Sequence, residues 1–503
     1  MNPQTRAEAT SYEETSLHAH VMEFLAALAG KNDPRFHLGS FGASPQGREL
    51  PLVVMSAHGI KTPAESRARG LPVVLVINGI HAGEVEGKEA CQMLMRDILA
   101  GTHAHLIEKL TLVIVPLFNP DGNDAISPEN RVLNLPRLEG QIGPKKVGTR
   151  VNGIGVNLNR DYMRQQALEM QLLQSRVVQV WKPELTIDTH ATNGSVHRMW
   201  MTYDIPHTVE SGRAEPIAFM RQRMMPVVTK ALADKHDLVA GWYGNFVEDE
   251  RALDGRRDAD PTAPVSEGWM TYPHNPRFGS NYRGLSNRLD LLLECYSYLS
   301  FPDRVRTTYA TILEALTYVT ANADDVMQVV VSSQNPRDRI AVRYKLEPFA
   351  EPIEIPTMSP RTLDGAPTSV RIPYFSNFVG TTIIDRPPAY IVPANVAEHL
   401  ARHGIASTPV EGTHEVEVAT VEGFGTEGGR KILEASEVGD LHVSWKRSSR
   451  PVPAGAHLVR TDHASGAIAV YLCEPESDDG AIENGLIKAP AAGDEFPIWR
   501  AHS

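Results

Sequence analysis

Short runs of apolar, mostly β-branched residues punctuate this chain, and segments with helical spacing lie between them. Residues 72–77 (PVVLVI), 112–115 (LVIV), 184–190 (ELTIDTH) and 291–294 (LLLE) read as buried strands. Leu17, Val21, Phe24, Leu25 and Leu28 fall on one helical face. Ser11-x-x-Glu14 has the form of a capping box ahead of that face, and Gly30 is placed to stop the helix. Ala90, Met93, Leu94 and Ile98 repeat the helical spacing over residues 86–100, and further helices are expected at 165–179, 214–234 and 305–320. Residues 36–40 and 50–55 flank the polar turn Pro45-Gln46-Gly47-Arg48 and suggest a hairpin. Strand and helix in alternation predict an α/β fold, a mixed central sheet flanked by helices.

The pattern changes near residue 325. Proline-bearing pieces such as Glu351-Pro352-Ile353-Glu354-Ile355-Pro356 separate short strand-like runs, with one modest helix from Ala394 to His403 ending at Gly404. Residues 1–325 therefore read as one domain, and 335–503 as a mostly β accessory domain whose role the sequence does not give. A length of 503 residues suits two domains, and 42% hydrophobic with 22% charged residues is a globular composition. No apolar run approaches the roughly 18 residues that cross a membrane. Residues 1–14 are polar and acidic, unlike a secretory signal, so a cytoplasmic location is expected of the chain as given, or export if it is a trimmed precursor. A net charge of −12 disfavours nucleic acid as a partner. Cys91, Cys295 and Cys473 show no Cys-x-x-Cys spacing and read as buried packing residues. Oligomeric state is not readable.

Candidate chemistry enters at the strand ends. Asn78-Gly79-Ile80-His81-Ala82-Gly83-Glu84 follows the strand at 72–77, and an imidazole and a carboxylate three residues apart there can close on one metal ion. His190, at the end of the strand-like run 184–190, is the candidate third ligand. Two His and one Glu leave a fourth position on a single Zn2+ open for water. Glu86 and Glu89 are rivals to Glu84, and Asp188 is the nearest group to orient His190. A lone His-x-x-Glu pair is as often a solvated helix face as a ligand pair, so the downstream segments decide.

Those segments are Asn119-Pro120-Asp121-Gly122-Asn123, then Gly155-Val156-Asn157-Leu158-Asn159-Arg160-Asp161-Tyr162, then Leu291-Leu292-Leu293-Glu294-Cys295-Tyr296. Their order, with His81, Glu84 and His190, resembles the M14 family of zinc metallocarboxypeptidases over roughly residues 10–320. The resemblance implies Glu294 as general base, a carboxylate that takes a proton from water and returns it to the leaving amine. It implies Asn159 and Arg160 as the pair that grips a substrate's terminal carboxylate, a task to which a planar guanidinium is suited. Arg150, nine residues before Asn159, is similar to the arginine that polarises the scissile carbonyl, with Arg131 the competing choice. Tyr272 and Tyr282 are both candidates for the family's substrate-binding tyrosine. Asn157 stands where many members carry an aspartate behind a zinc-bound histidine, and Asp161 stands beside Arg160 where it would partly neutralise it. Arg277, Arg283 and Arg288 crowd one stretch and weakly suggest an acidic group nearby. The expected activity is removal of a C-terminal residue from a peptide. A small N-acyl amino acid as substrate, or peptide binding without turnover, are the alternatives.

Overall fold

A computed structural model describes residues 2–425 and 440–502. The first 300 residues contribute strands β1 (Phe36–Ala43), β2 (Glu49–Met55), β3 (Val73–Asn78), β4 (Thr111–Val115), β5 (Leu185–Thr192), β6 (Met201–Asp204), β7 (Ala240–Trp242), β8 (Asn245–Phe246), β9 (Trp269–Met270) and β10 (Leu289–Tyr296). Eight of them form one sheet in the order β1-β2-β4-β3-β5-β10-β6-β7. The centre, β4-β3-β5-β10, is parallel, while β1, β2 and β6 join antiparallel, so the sheet is mixed as the alternation predicts.

Both faces of the sheet are covered, which is why its central strands are apolar throughout rather than alternating. Val74 and Val76 of β3 face helices His18–Ala29, Glu86–Leu99 and Phe301–Ala321. Val73, Leu75 and Ile77 face the other way, toward Tyr162, Met163 and Met170. That second core also takes in Tyr390, Val396, Leu400 and the fully buried helix Gly466–Cys473 from the C-terminal part. Strands β11 (Arg339–Pro348), β12 (Ile353–Ser359), β13 (Ala366–Ile372) and β14 (Tyr374–Asp385) follow the long helix. β11 and β14 extend a sheet with β9 and β8, and β12 with β13 forms a separate hairpin. Six later strands make a further sheet that includes Ala389–Val392 and Trp499–Ala501.

Several local expectations need correction. The first long helix is capped at Leu17, not Ser11, because Ser11 and Tyr12 adopt left-handed φ of 51° and 65°. Glu14 pairs with Arg6 instead, and the capping box belongs to Thr5 and Glu8 one helix earlier. The chain turns there because the Ser16 amide donates to Glu89 Oε1 at 2.6 Å, which also removes Glu89 as a rival metal ligand. Glu86 is likewise taken up, by Arg304 at 3.3 Å. Helices Ala323–Ser332 and Gly466–Cys473 were not expected. The second is apolar on all sides and carries no periodic signal. Among the described residues no helix is long and apolar enough to cross a membrane.

Candidate active site

The parallel centre of the sheet delivers the site. β3 ends at Asn78, Gly79 turns the chain at φ +70°, and the Glu84 amide donates to His81 O at 3.0 Å, closing the turn that brings His81 and Glu84 together. β5 and β10 are parallel neighbours in register, with Glu294 opposite His190, so both side chains leave the sheet on one side. These are carboxyl ends of strands, where open α/β sheets hold ligands.

His81, Glu84 and His190 are 4% exposed or less, and their donor atoms lie within 4.8 Å of one another. The His190 Nδ1 atom sits 3.1 Å from His81 Nδ1 and 3.0 Å from Glu84 Oε2, and His81 Nδ1 is 3.2 Å from Glu84 Oε1. The far ring nitrogens lie beside oxygens: His81 Nε2 is 3.1 Å from Asn157 Oδ1 in hydrogen-bond geometry, and His190 Nε2 is 3.2 Å from Asp188 Oδ1, an ion-pair distance. Protons on both Nε2 atoms leave two Nδ1 lone pairs and a carboxylate aimed at one point. Such an arrangement calls for positive charge, which the Arg150 guanidinium supplies here at 3.1 Å from His81 Nδ1 and 3.5 Å from Glu84 Oε1, and two imidazoles with a carboxylate are a donor set that zinc accepts. The three residues therefore fit the metal. Burial, with Arg150 adding to it, lowers the His81 pKa to about 3, so the ring stays neutral as a ligand must. Burial also opposes charge on His190, but Asp188 and Glu84 outweigh it and raise its pKa well above the ordinary value, so the site favours positive charge there.

Around these ligands is one cavity of about 380 Å³ lined by Arg131, Arg150, Asn159, Arg160, Tyr272 and Glu294 together with His81 and Glu84. Burial first, with Glu84 adding like charge, pushes the Glu294 pKa up to about 8. Asn159 is fixed by accepting from the Gly279 amide at 3.0 Å, and the Arg160 guanidinium stacks 3.9 Å over the Phe278 ring. Arg131 is held tightly: it donates to Gln141 Oε1 at 2.6 Å, Glu84 Oε1 at 3.1 Å and Ala191 O at 3.3 Å. Arg150 donates to His81 Nδ1 at 3.1 Å, with 46% of its side chain exposed.

Tyr282 is not in this cavity. It lies in helix Gly279–Leu285, buried against Tyr162, and its hydroxyl meets His403 Nδ1 at 2.8 Å. Of the two candidate tyrosines, Tyr272 alone lines the cleft. The Asp161 carboxylate accepts from the Gln166 and Ala167 amides at 2.8 Å each. The crowded arginines have structural partners: Arg277 meets Asp479, Arg283 meets Asp290 and Asp188, and Arg288 meets Glu184. Asn157 does stand behind His81, as an amide acceptor. Tyr243, Phe278 and Ser280 line the cleft unannounced by the sequence, since Tyr243 and Phe278 lie outside regular elements and Ser280 in the first turn of a helix too short to show periodicity.

Residues 21–184 match the family model described as zinc carboxypeptidase. Carboxypeptidase 2 of Trichophyton tonsurans is 21% identical over 503 residues, covering 95% of this chain and 85% of that protein. Carboxypeptidase M of Mus musculus is 33% identical over 116 residues, covering 22% of this chain and 25% of that protein. A solved metallo-carboxypeptidase from Burkholderia cenocepacia superposes with a TM-score of 0.39 at 17% identity, over 60% of this chain and 69% of that one. By class, then, the chain is a metallopeptidase hydrolase. Within that class the chain is similar to M14 zinc carboxypeptidases, the family model covering residues 21–184.

Proposed function

We propose that the chain hydrolyses the C-terminal peptide bond of peptides with one zinc ion held by His81, Glu84 and His190. The single observation that carries this reading is that His81, Glu84, Glu294 and the Asn159–Arg160 pair all line one cavity, with His190 behind its wall at 3.1 Å from His81 and 3.0 Å from Glu84. Zinc supplies Lewis acidity toward water and a carbonyl oxygen, and its charge favours the ionised form of Glu294. Glu294 takes a proton from the attacking water, whose oxygen bonds to the carbonyl carbon. When the C–N bond breaks, Glu294 hands that proton to the leaving amine. Arg150 faces the developing oxyanion with the more exposed guanidinium, while Arg131, tied to Gln141, Glu84 and Ala191, holds the Glu84 carboxylate in place. Asn157 and Asp188 fix the two imidazole rings from behind. Arg160, with Asn159 beside it, receives the substrate's terminal carboxylate, and Tyr272 and Tyr243 wall the position of the last side chain.

Amidating the peptide's C-terminus tests this reading, because it removes the charge that Arg160 would meet. A charge pair left half-made costs about 2–5 kcal/mol, or roughly 30- to several-thousand-fold in kcat/KM. Arg160→Ala should lose a similar factor on a free peptide, and amidation should then add little, since two changes to one contact do not sum. Equal cleavage of amidated and free peptides by the unaltered protein would replace this reading with an amidase or an endopeptidase.

A further inference from the structure

A second cavity, of about 200 Å³, has Val196 in its lining, three residues along the chain from Asn193 of the cleft. Leu135, Pro136, Leu138, Val196, Ala259 and Pro261 give it an apolar lining. Its closeness to the cleft follows from the chain. Gly194, next to Asn193, donates its amide to Leu138 O at 3.0 Å, and Val196 is three residues beyond Asn193, about 10 Å at full extension. Val132 and Leu133, which are 57% and 38% exposed, lie between Arg131 of the cleft and Leu135 of the cavity.

The far wall comes from the C-terminal part. Arg361 and Thr362, in the turn joining β12 to β13, close the cavity. The Arg361 charge is matched by Asp249, whose two oxygens accept at 2.8 and 2.6 Å. The hairpin is fastened to the cleft's own loop, with the Arg198 amide donating to Pro356 O at 2.8 Å and the Thr357 hydroxyl to Val196 O at 2.7 Å.

We propose that this cavity is a subsite for an apolar side chain of the substrate, about two to four residues on the amino side of the cleaved bond. The inference rests on the carboxypeptidase reading for its direction: with the terminal carboxylate at Asn159 and Arg160, the rest of the peptide passes the metal ligands toward Arg131 and Asn193. The volume suits one side chain of leucine or phenylalanine size, and matching an apolar side chain to an apolar pocket strengthens binding by roughly 10-fold or more. The substrate class is then an extended peptide with an apolar residue near its C-terminus, and the β12–β13 hairpin is part of the recognition surface.

The test uses zinc-loaded full-length protein with Glu294→Gln and fluorescent pentapeptides with free C-termini, read by anisotropy. Leucine in place of glycine at the second, third or fourth position before the scissile bond should lower Kd about 10-fold at one of these positions. Ala259→Leu, which fills the cavity, should abolish that difference, and Thr362→Phe from the opposite wall should do the same. Equal affinity for leucine and glycine peptides at every position overturns the subsite, as does a preference that both filling variants leave intact. Amidated peptides that bind as tightly as free ones would sink the carboxypeptidase reading, while the leucine–glycine comparison would still report on the cavity. Absence of binding by every peptide overturns both.

Discussion

Glu294 is an acidic residue at the end of three leucines, half-buried in the cleft beside another carboxylate, and that setting separates proton transfer from metal binding. Glu294→Gln keeps the shape of the side chain and removes its basicity. The expected outcome is retained zinc with kcat lower by about 10²–10⁴-fold, the usual contribution of a positioned acid–base group. His190→Ala should behave differently, losing most of the metal by elemental analysis because it removes one of three ligands. Near-normal kcat in the first variant, or full zinc content in the second, would remove that residue from its role. These residues were legible because each follows an apolar run that had to be a buried strand, and strand ends in an α/β sheet converge. In sequence, distance from Glu294 favours Tyr272 over Tyr282, but the context of each reads as equally loop-like. Tyr282 is drawn off by His403, more than a hundred residues away, and no local pattern foretells that. The partner of Arg277, Asp479, was hidden for the same reason.

At the level of elements, Glu84 is placed by the packing of helix Glu86–Leu99 on β5. Gly87 is the point of closest approach: a Cβ there would lie 2.1 Å from Thr189 Oγ1 and 2.7 Å from Thr189 Cβ. Thr189 cannot give way easily, because its hydroxyl donates to Asn78 Oδ1 at 2.9 Å. Gly87→Ala therefore forces the helix outward despite the better helix propensity of alanine. Overpacking of this kind costs about 1–3 kcal/mol, and it moves the segment that carries Glu84. Urea unfolding should show the loss of stability, and zinc titration a weaker affinity. Unchanged stability and affinity would mean that the contact relaxes without moving the helix. Ala90, Leu94 and Ile98 announce the helix but not this contact, since a glycine in a helical pattern reads as a mild defect until its neighbour is known. The β12–β13 hairpin was likewise visible only as proline-separated strand runs. What it leans on, Val196 and Arg198, lies far back in the chain.

Across the whole molecule, helix Ala394–Arg402 joins the C-terminal part to the catalytic core through two histidines. His399 Nε2 lies 2.8 Å from Met163 O, and His403 Nε2 lies 3.2 Å from the same carbonyl and 3.1 Å from His399 Nε2. Gln165 and the Tyr282 hydroxyl face His403 Nδ1, and Arg402 is the nearby charge. Burial lowers the His399 pKa from 6.5 to about 4, and burial together with His399 holds His403 well below 6.5. The sign follows from proton counting: between the two pKa values the unfolded chain binds the proton and the folded chain does not. Stability from His399 is thus complete above pH 6.5 and is lost as pH falls toward 4. At roughly 1.4 kcal/mol per pKa unit the full effect is on the order of 3 kcal/mol, about 2 kcal/mol of it gone by pH 5. Acidic groups raised by burial, such as Asp161 and Glu483, act in the opposite direction, so the total profile does not isolate the histidine. The difference between the unaltered protein and His399→Gln does, because glutamine keeps an amide donor for Met163 O but cannot be protonated. Urea unfolding at pH 8 should find the unaltered protein the more stable, and that advantage should shrink by about 2 kcal/mol at pH 5. A difference that stays constant between pH 8 and pH 5 would show that His399 is not held neutral where the two parts of the chain meet.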